Sequence, residues 1–374
     1  MPVSYRLGAY YFLFFATAGL VVAYLPPYLA ARGLSAAEIA WVLAAPQLAR
    51  VLAPGAWGLL ADRTGARRTI VVLASAANAV CFALLPLMPG FAAIVALTAV
   101  TSLVATAALP LVEAITLHAL AGQSGRYGPI RLWGSIGFMA AVMAGGVWLE
   151  SRSVLRLPYA VALFSLGTVA LGALLPSQEA LPGPSEMPAA LDRAALAILA
   201  SGFFMAAAHG TLYAFLTLHL QRLGYSASLI GFLWLLGVAA EVGVFVFLPA
   251  LFRRYRLSTL LMASAALGVA RFLAIGWLAD SLAMLLLAQL LHAATFGSYH
   301  AAAIAAVHRV FAPHAQARGQ ALFSSVAYGA GGAAGAIAAG SSWDAAGPGV
   351  AFTLSALAAA VGVFLAYPLK RAGL

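Results

Sequence analysis

Apolar residues run along this chain in long unbroken blocks, without the alternation of a half-buried strand or the narrow stripe of a surface helix. Blocks long enough to cross a bilayer, about 20 residues each, fall at 7–31, 36–60, 67–88, 91–119, 128–149 and 157–176. A second set falls at 194–219, 226–252, 257–278, 282–310, 316–340 and 346–369. Each block predicts a membrane-spanning helix, and most gaps between them are short. The exception follows the sixth block, where Pro176, Pro182, Pro184 and Pro188 stand beside Glu179, Glu186 and Asp192. That composition reads as an exposed linker. The expected architecture is an all-α membrane protein of twelve transmembrane helices, with six-helix bundles at 1–176 and 194–374 joined by a cytoplasmic linker at 177–193.

Composition agrees. Apolar residues make up 64% of the chain and charged residues 8%, with a mean hydropathy of +0.99. So few charges cannot cover a water-facing surface, so the bilayer is the solvent for most of the chain. The net charge of +10 does not imply a nucleic-acid partner, because the arginines sit in short gaps between apolar blocks and form no basic stripe. Their placement sets topology instead. With the N-terminus inside, the inner gaps hold Arg63, Arg67, Arg68, Arg126, Arg253, Arg254, Arg256, Arg309 and Arg318, and the tail adds Lys370 and Arg371. The outer gaps hold Arg32, Arg152, Arg156 and Arg222. Both termini are thus expected in the cytoplasm of a bacterial-type cell, with the chain in the inner membrane. The first block reads as a spanning helix and not a removable leader. Cys81 lies within an apolar block and is the single cysteine, which excludes an internal disulfide and a multi-cysteine metal site.

The halves echo each other. Each second helix carries a proline near its inner end, Pro54 and Pro249, followed by a basic gap, and each fifth helix is rich in Gly and Ser after an arginine. Internal repeats with a solute site at mid-depth between them are a common plan for secondary transporters.

The gap after the second block reads Gly58-Leu-Leu-Ala-Asp62-Arg63-Thr-Gly65-Ala-Arg67-Arg68. Gly58 allows helices to approach, Gly65 suits a tight turn, and Asp62 can pair with an arginine or cap a helix, a polar clasp able to break as the halves rock. These residues resemble the loop signature of the major facilitator superfamily; the second-half counterpart at Pro249–Arg256 keeps the basic residues and lacks the Asp and Gly.

Ionisable groups at membrane depth are costly and mark function by default. Arg50, Glu113, Arg131, Glu241 and Arg271 qualify. Glu113 and Arg131 lie on consecutive helices, each nine residues from Gly122 at the intervening turn, so they face one another at matching depth. A Glu accepts hydroxyl hydrogen bonds and an Arg forks onto a carboxylate or sugar oxygens; a structural ion pair that locks the hairpin is the alternative. Glu241 is the one carboxylate within the apolar part of the second half. A carboxyl group out of water exchanges its proton as its surroundings change, which makes Glu241 the candidate proton carrier, with Arg271 modulating it and His292 as a relay. A structural Glu241–Arg271 ion pair is the alternative.

Pro110-Leu-Val-Glu113 followed by Gly128, Arg131 and Gly134 resembles the fourth and fifth helices of the oligosaccharide:proton symporters. That resemblance implies sugar-binding roles for Glu113 and Arg131 and a ring-stacking role for Phe138, where the family carries Trp. It also implies proton coupling through Arg271 and His292, although Thr295 stands where those symporters carry a glutamate. The segments Tyr127–Phe138, His292–His300 and Gly319–Gly329 are more similar still to the phenylpropionate-transporter-like branch of the superfamily. An aromatic carboxylate is therefore the leading solute and a sugar the second.

Gln47, Arg50 and His209 are further candidates for the solute site. His300 and His308 follow His292 at eight-residue steps without companion carboxylates, so no metal site is expected. Gly329, Gly331, Gly332 and Gly335 suit close helix contact. No nucleophile elbow, zinc-protease or phosphate-loop motif occurs, which argues against an enzyme or an ATP-driven pump. The expected function is a secondary transporter without cofactor, using a proton gradient and engaging a small solute, protons and the lipid bilayer; a monomer suffices. Drug export, or a non-transporting sensor on the same fold, is the remaining class.

Overall fold

The computed structural model describes residues 2–120, 124–177, 191–312 and 315–374. Gly122 and most of the expected linker lie outside the described residues. No strand occurs among those residues, and eleven helices are long and apolar enough to cross a membrane. In chain order, counting short 3-10 and π turns within them, they are α1 (Val3–Ala31), α2 (Ala36–Thr64), α3 (Arg67–Leu87), α4 (Phe91–Ala119), α5 (Tyr127–Glu150) and α6 (Val154–Ala173). There follow α7 (Arg193–Arg222), α8 (Ala227–Arg254), α9 (Leu257–Trp277), α10 (Leu282–Val310) and α11 (Gln316–Arg371). The two last helices that the sequence predicts run together as α11, a 56-residue segment made of two helices that meet at a kink. It bends at Gly347, whose φ of 83° departs from the helix just before Pro348. Pro348 lacks a donor N–H and its ring crowds the preceding turn, which is why the helix breaks there.

Helix ends follow local chemistry. α1 and α7 both finish in the same left-handed glycine cap, at Gly33 (φ 83°) and Gly224 (φ 82°). The N–H of Gly33 donates to the Ala30 carbonyl and that of Leu34 to the Leu29 carbonyl. Gly224 and Tyr225 do the same to Gln221 and Leu220. This is the Schellman arrangement, and it recurs at equivalent hairpins of the two halves. Ser35 and Glu38 then open α2 as a capping box, the Glu38 carboxylate accepting from the Ser35 N–H at 2.8 Å. Asp192 caps α7 by accepting from the Ala195 N–H at 2.7 Å.

The chain forms two compact units. One comprises Met1–Leu34, Leu52–Pro184 and Ser226–Leu235; the other comprises Ser35–Val51, Ser185–Tyr225 and Leu236–Leu374. Each unit therefore includes the first part of a helix from the opposite half of the sequence, α2 in the second unit and α8 in the first. Carboxylates hold these borrowed ends. In the first unit Glu150 accepts from the Ser228 N–H (2.9 Å) and hydroxyl (2.6 Å). In the second, Asp344 accepts from the Ala36 N–H at 3.0 Å. An acidic group suits the positive end of a helix.

The first unit is cored by Leu7, Tyr10, Tyr11, Val71, Val112 and Ile115. In the second, α7 lies directly on α11: a Cβ added to Gly331 would meet the Phe203 carbonyl oxygen at 2.4 Å, and one added to Gly335 the Ala207 carbonyl oxygen at 1.9 Å. Backbones this close require glycine, the usual means of packing helices that have no hydrophobic drive to associate in lipid.

Candidate solute and coupling sites

In the first unit the structure brings Glu113 and Arg131 together, with Arg131 Nε 3.9 Å from Glu113 Oε1. Both are part-exposed, at 38% and 29% of their side-chain surface, so this contact is loose and adds little stability. The Tyr127 hydroxyl donates to the same Glu113 oxygen at 3.5 Å. The Arg131 guanidinium lies over the Phe15 ring at 4.0 Å and near the Tyr11 ring at 5.6 Å. Space for that stack comes from Gly134, where a Cβ would stand 2.7 Å from Phe15 and 2.8 Å from Arg131 Nη1. Tyr11 is anchored by Thr116 at 3.1 Å. Phe138 is half-buried two turns after Arg131 on α5, with its backbone against Gly19. Tyr11 and Phe15 escaped the sequence reading because they come from α1, and no local spacing ties α1 to the α4–α5 hairpin.

The second unit holds a polar cluster inside an apolar core. Arg271 is fully buried. Its guanidinium donates to the Ala288 carbonyl (2.8 Å), Thr295 Oγ1 (3.0 Å) and Gln289 Oε1 (3.2 Å), and Nη1 stands 3.5 Å from His209 Nε2. The carbonyl, hydroxyl and amide oxygens that accept from it carry no formal charge. Glu241 approaches His292 instead, Oε2 to Nε2 at 3.6 Å, so no Glu241–Arg271 ion pair forms within 4.0 Å. Gly297 permits this approach, since a Cβ there would meet Glu241 Cγ at 3.1 Å. A π turn over Ala293–Ser298 accompanies the ring stack of His292, Phe296 and His300, at 5.2 and 5.9 Å and nearly parallel. His209 belongs to this cluster and not to the Glu113–Arg131 group: its Nδ1 faces the Met205 carbonyl at 2.9 Å, and its ring contacts His292 and Phe296.

Gln47 and Arg50 lie on the part of α2 within the second unit. Glycines 329 and 332 of α11 pack on Gln47, and the Ser325 hydroxyl reaches the Arg50 and Val51 carbonyls at 3.5 and 3.4 Å. Gln289 and Thr295 bond to Arg271, Tyr213 stands beside His209 and Tyr328 bonds to His300, contacts that spacing alone did not reveal.

The loop signature occupies the end of α2. Asp62 pairs with the buried Arg67 at 2.6 Å, Gly65 turns the chain at φ 67°, and Arg63 and Arg68 are exposed. Space is open around Gly58. A cavity of about 260 Å³ beside this pair is lined by Pro54, Trp57 and Pro110 among others. No group of three metal-ligating side chains occurs among the described residues.

Long apolar helices in two units, carrying polar groups at mid-helix, are the build of a multi-pass membrane protein. Residues 4–354 match the MFS_1 like family, and the chain belongs to that family of the major facilitator superfamily. It is similar to a probable 3-phenylpropionic acid transporter of Escherichia coli, 35% identical over 64% of this chain and 64% of that protein. The chain thus matches a little under two thirds of that relative's length. The maltose permease of Geobacillus stearothermophilus is 30% identical over 71% of this chain and 69% of its own. Among solved structures, the nucleoside transporter NupG superposes with a TM-score of 0.83 over 99% of each chain at 20% identity. The POT family transporter PepTSo gives 0.77 over 98% of each at 10% identity. These likenesses establish the fold, and the relatives are transporters, not enzymes.

Proposed function

We propose that the protein is a proton-coupled symporter of a small aromatic carboxylate, working by alternating access through twelve spans with both termini cytoplasmic. The two arms of α11 around Gly347 would be the eleventh and twelfth spans, and the bacterial inner membrane its location. The observation that carries this reading is the Glu241–His292 contact beside Arg271. Arg271 is sealed in protein with neutral acceptors, so its charge acts on both titrating groups without being consumed by an ion pair. Proton arrival at Glu241 or His292 would change that local balance, and linkage requires the change to be felt by any solute that prefers one conformation. Glu113 and Arg131, loosely paired and accessible, would bind the polar end of the solute, and Phe15, Tyr11 and Phe138 would pack its ring. Similarity to the phenylpropionate transporter supports this solute class; similarity to the maltose permease supports a sugar as the second reading, since Glu113 accepts hydroxyl groups equally well.

The test is uptake of labelled 3-phenylpropionate and maltose into proteoliposomes, with and without an inward proton gradient, for wild type and Glu241→Gln. Accumulation of the acid above equilibrium, lost in Glu241→Gln while exchange down the gradient survives, is the expected result. Accumulation that ignores the proton gradient would overturn the coupling, and accumulation of maltose alone would replace the solute.

A further inference from the structure

Two histidines stand side by side in the buried cluster of the second unit, and their ring nitrogens meet opposite chemistry. His209 on α7 and His292 on α10 have ring centroids 6.1 Å apart. His209 Nδ1 faces the Met205 carbonyl oxygen at 2.9 Å. A carbonyl oxygen only accepts, so Nδ1 carries the proton, and in the neutral ring Nε2 is then bare. That bare nitrogen is the one turned to Arg271, with Nη1 at 3.5 Å. The contact is long, but its sense is fixed, because a guanidinium only donates. A second proton on His209 would set N–H against N–H and cation against cation, out of reach of water.

The ring is held in this orientation. It is buried, with Phe272 edge-on at 5.2 Å and Phe296 at 5.8 Å. The helix beneath it is pinned to α11, since a Cβ on Gly210 would meet the Ala336 nitrogen at 2.6 Å and the Gly332 carbonyl oxygen at 2.7 Å. His209 is thus faced by Arg271 and Phe272 from α9, His292 and Phe296 from α10, Tyr213 from α7 itself, and α11 backbone at its neighbour Gly210.

His292 is the opposite case. Its Nε2 faces Glu241 Oε2 at 3.6 Å, and its Nδ1 has no hydrogen-bond partner among the described residues. A proton added to this pair lands on a carboxylate or beside one, where opposite charge favours it.

We propose that His209 is a positioning residue: its proton-free Nε2, fixed by the Met205 carbonyl, holds one N–H of Arg271 and confines the transported proton to Glu241 and His292. This rests on the proton-coupled reading above and assigns its carriers. Thr295 and Gln289 take other N–H groups of the same guanidinium, and His209 adds an acceptor from α7, so the cation stays in place beside the titrating pair.

The first experiment is NMR of the full-length protein in lipid bilayers with 15N-labelled histidine, His209→Gln identifying the signals of that ring. From about pH 5 to pH 8, where free histidine titrates, His209 should keep a protonated Nδ1 and a bare Nε2. The second is uptake of 3-phenylpropionate into proteoliposomes. His209→Leu, which leaves an Arg271 N–H without its acceptor, should lower gradient-driven accumulation by about tenfold. It should also shift the pH midpoint of uptake by about one unit toward acid, since a guanidinium freed from one acceptor is drawn to the Glu241 carboxylate. His209→Gln supplies an amide oxygen and no titrating proton, and should recover most of the accumulation at the wild-type midpoint. Thermal melting separates these effects from loss of fold, which would not move a midpoint. A His209 ring protonated on both nitrogens, or on Nε2 alone, overturns the assignment and leaves proton coupling intact. So does His209→Gln that exchanges solute but no longer accumulates it, the mark of a relay. Wild-type accumulation that ignores the proton gradient overturns the coupling and the role of His209 within it.

Discussion

Replacing Gly335 with alanine tests how the second unit is packed. The added Cβ would stand 1.9 Å from the Ala207 carbonyl oxygen, with the Ala207 carbonyl carbon at 2.6 Å and Cα at 2.7 Å. These are backbone atoms, so no rotamer change relieves the clash. Reaching even a 3.0 Å contact demands that α7 and α11 part by at least about 1.1 Å along that line, and small-to-large changes in close-packed interiors cost about 1–3 kcal/mol or more. At about 2–4 °C per kcal/mol for units of this size, the apparent Tm should fall by about 2–12 °C. The assay is a thermal melt of detergent-purified protein at one fixed scan rate, because irreversible unfolding makes an apparent Tm depend on scan rate. Gly55→Ala is the control: nothing lies within 4 Å of that position, and alanine favours helix over glycine by about 0.8–1.0 kcal/mol, so its Tm should hold or rise. Equal melting of Gly335→Ala and wild type would refute the reading that backbone contact between these helices is what the glycine serves.

Three further outcomes follow from the geometry. Phe15→Leu removes the ring under the Arg131 guanidinium and should weaken solute binding by about fivefold, equivalent to about 1 kcal/mol, as read by competition binding; unchanged affinity would place Arg131 elsewhere in the bound state. Asp62→Asn removes the charge from the 2.6 Å pair with Arg67 and should slow uptake while leaving solute affinity within about threefold, since it acts on the conformational equilibrium and not on the site; a larger loss of affinity would contradict this. Asp344→Ala and Glu150→Ala each remove an acceptor from a helix start and should cost about 0.5–2 kcal/mol apiece, seen as lowered melting; Asp344→Asn, which still accepts, should retain most of that stability.

What the sequence decides here is whatever depends on distance along the chain. Block length and charge placement yield spanning helices and an expected topology, because a bilayer imposes a length and loop cations impose an orientation. The turn at Gly65 and the reach of Asp62 to Arg67 are five-residue matters. Glu113 and Arg131 meet because one hairpin joins them, so counting residues from its turn places them at equal depth. Tertiary structure decides what depends on the rotation of helices distant in sequence. Glu241 approaches His292, a contact made by how α8 and α10 turn toward one another and by the π turn at Ala293–Ser298. Phe15 reaches Arg131 from α1 through the gap left by Gly134. The start of α2 belongs with the second unit, and the start of α8 with the first, which no count of residues reveals. Helical periodicity specifies a face along one helix, but only packing selects which faces meet, and it was those meetings that assembled the polar groups into sites.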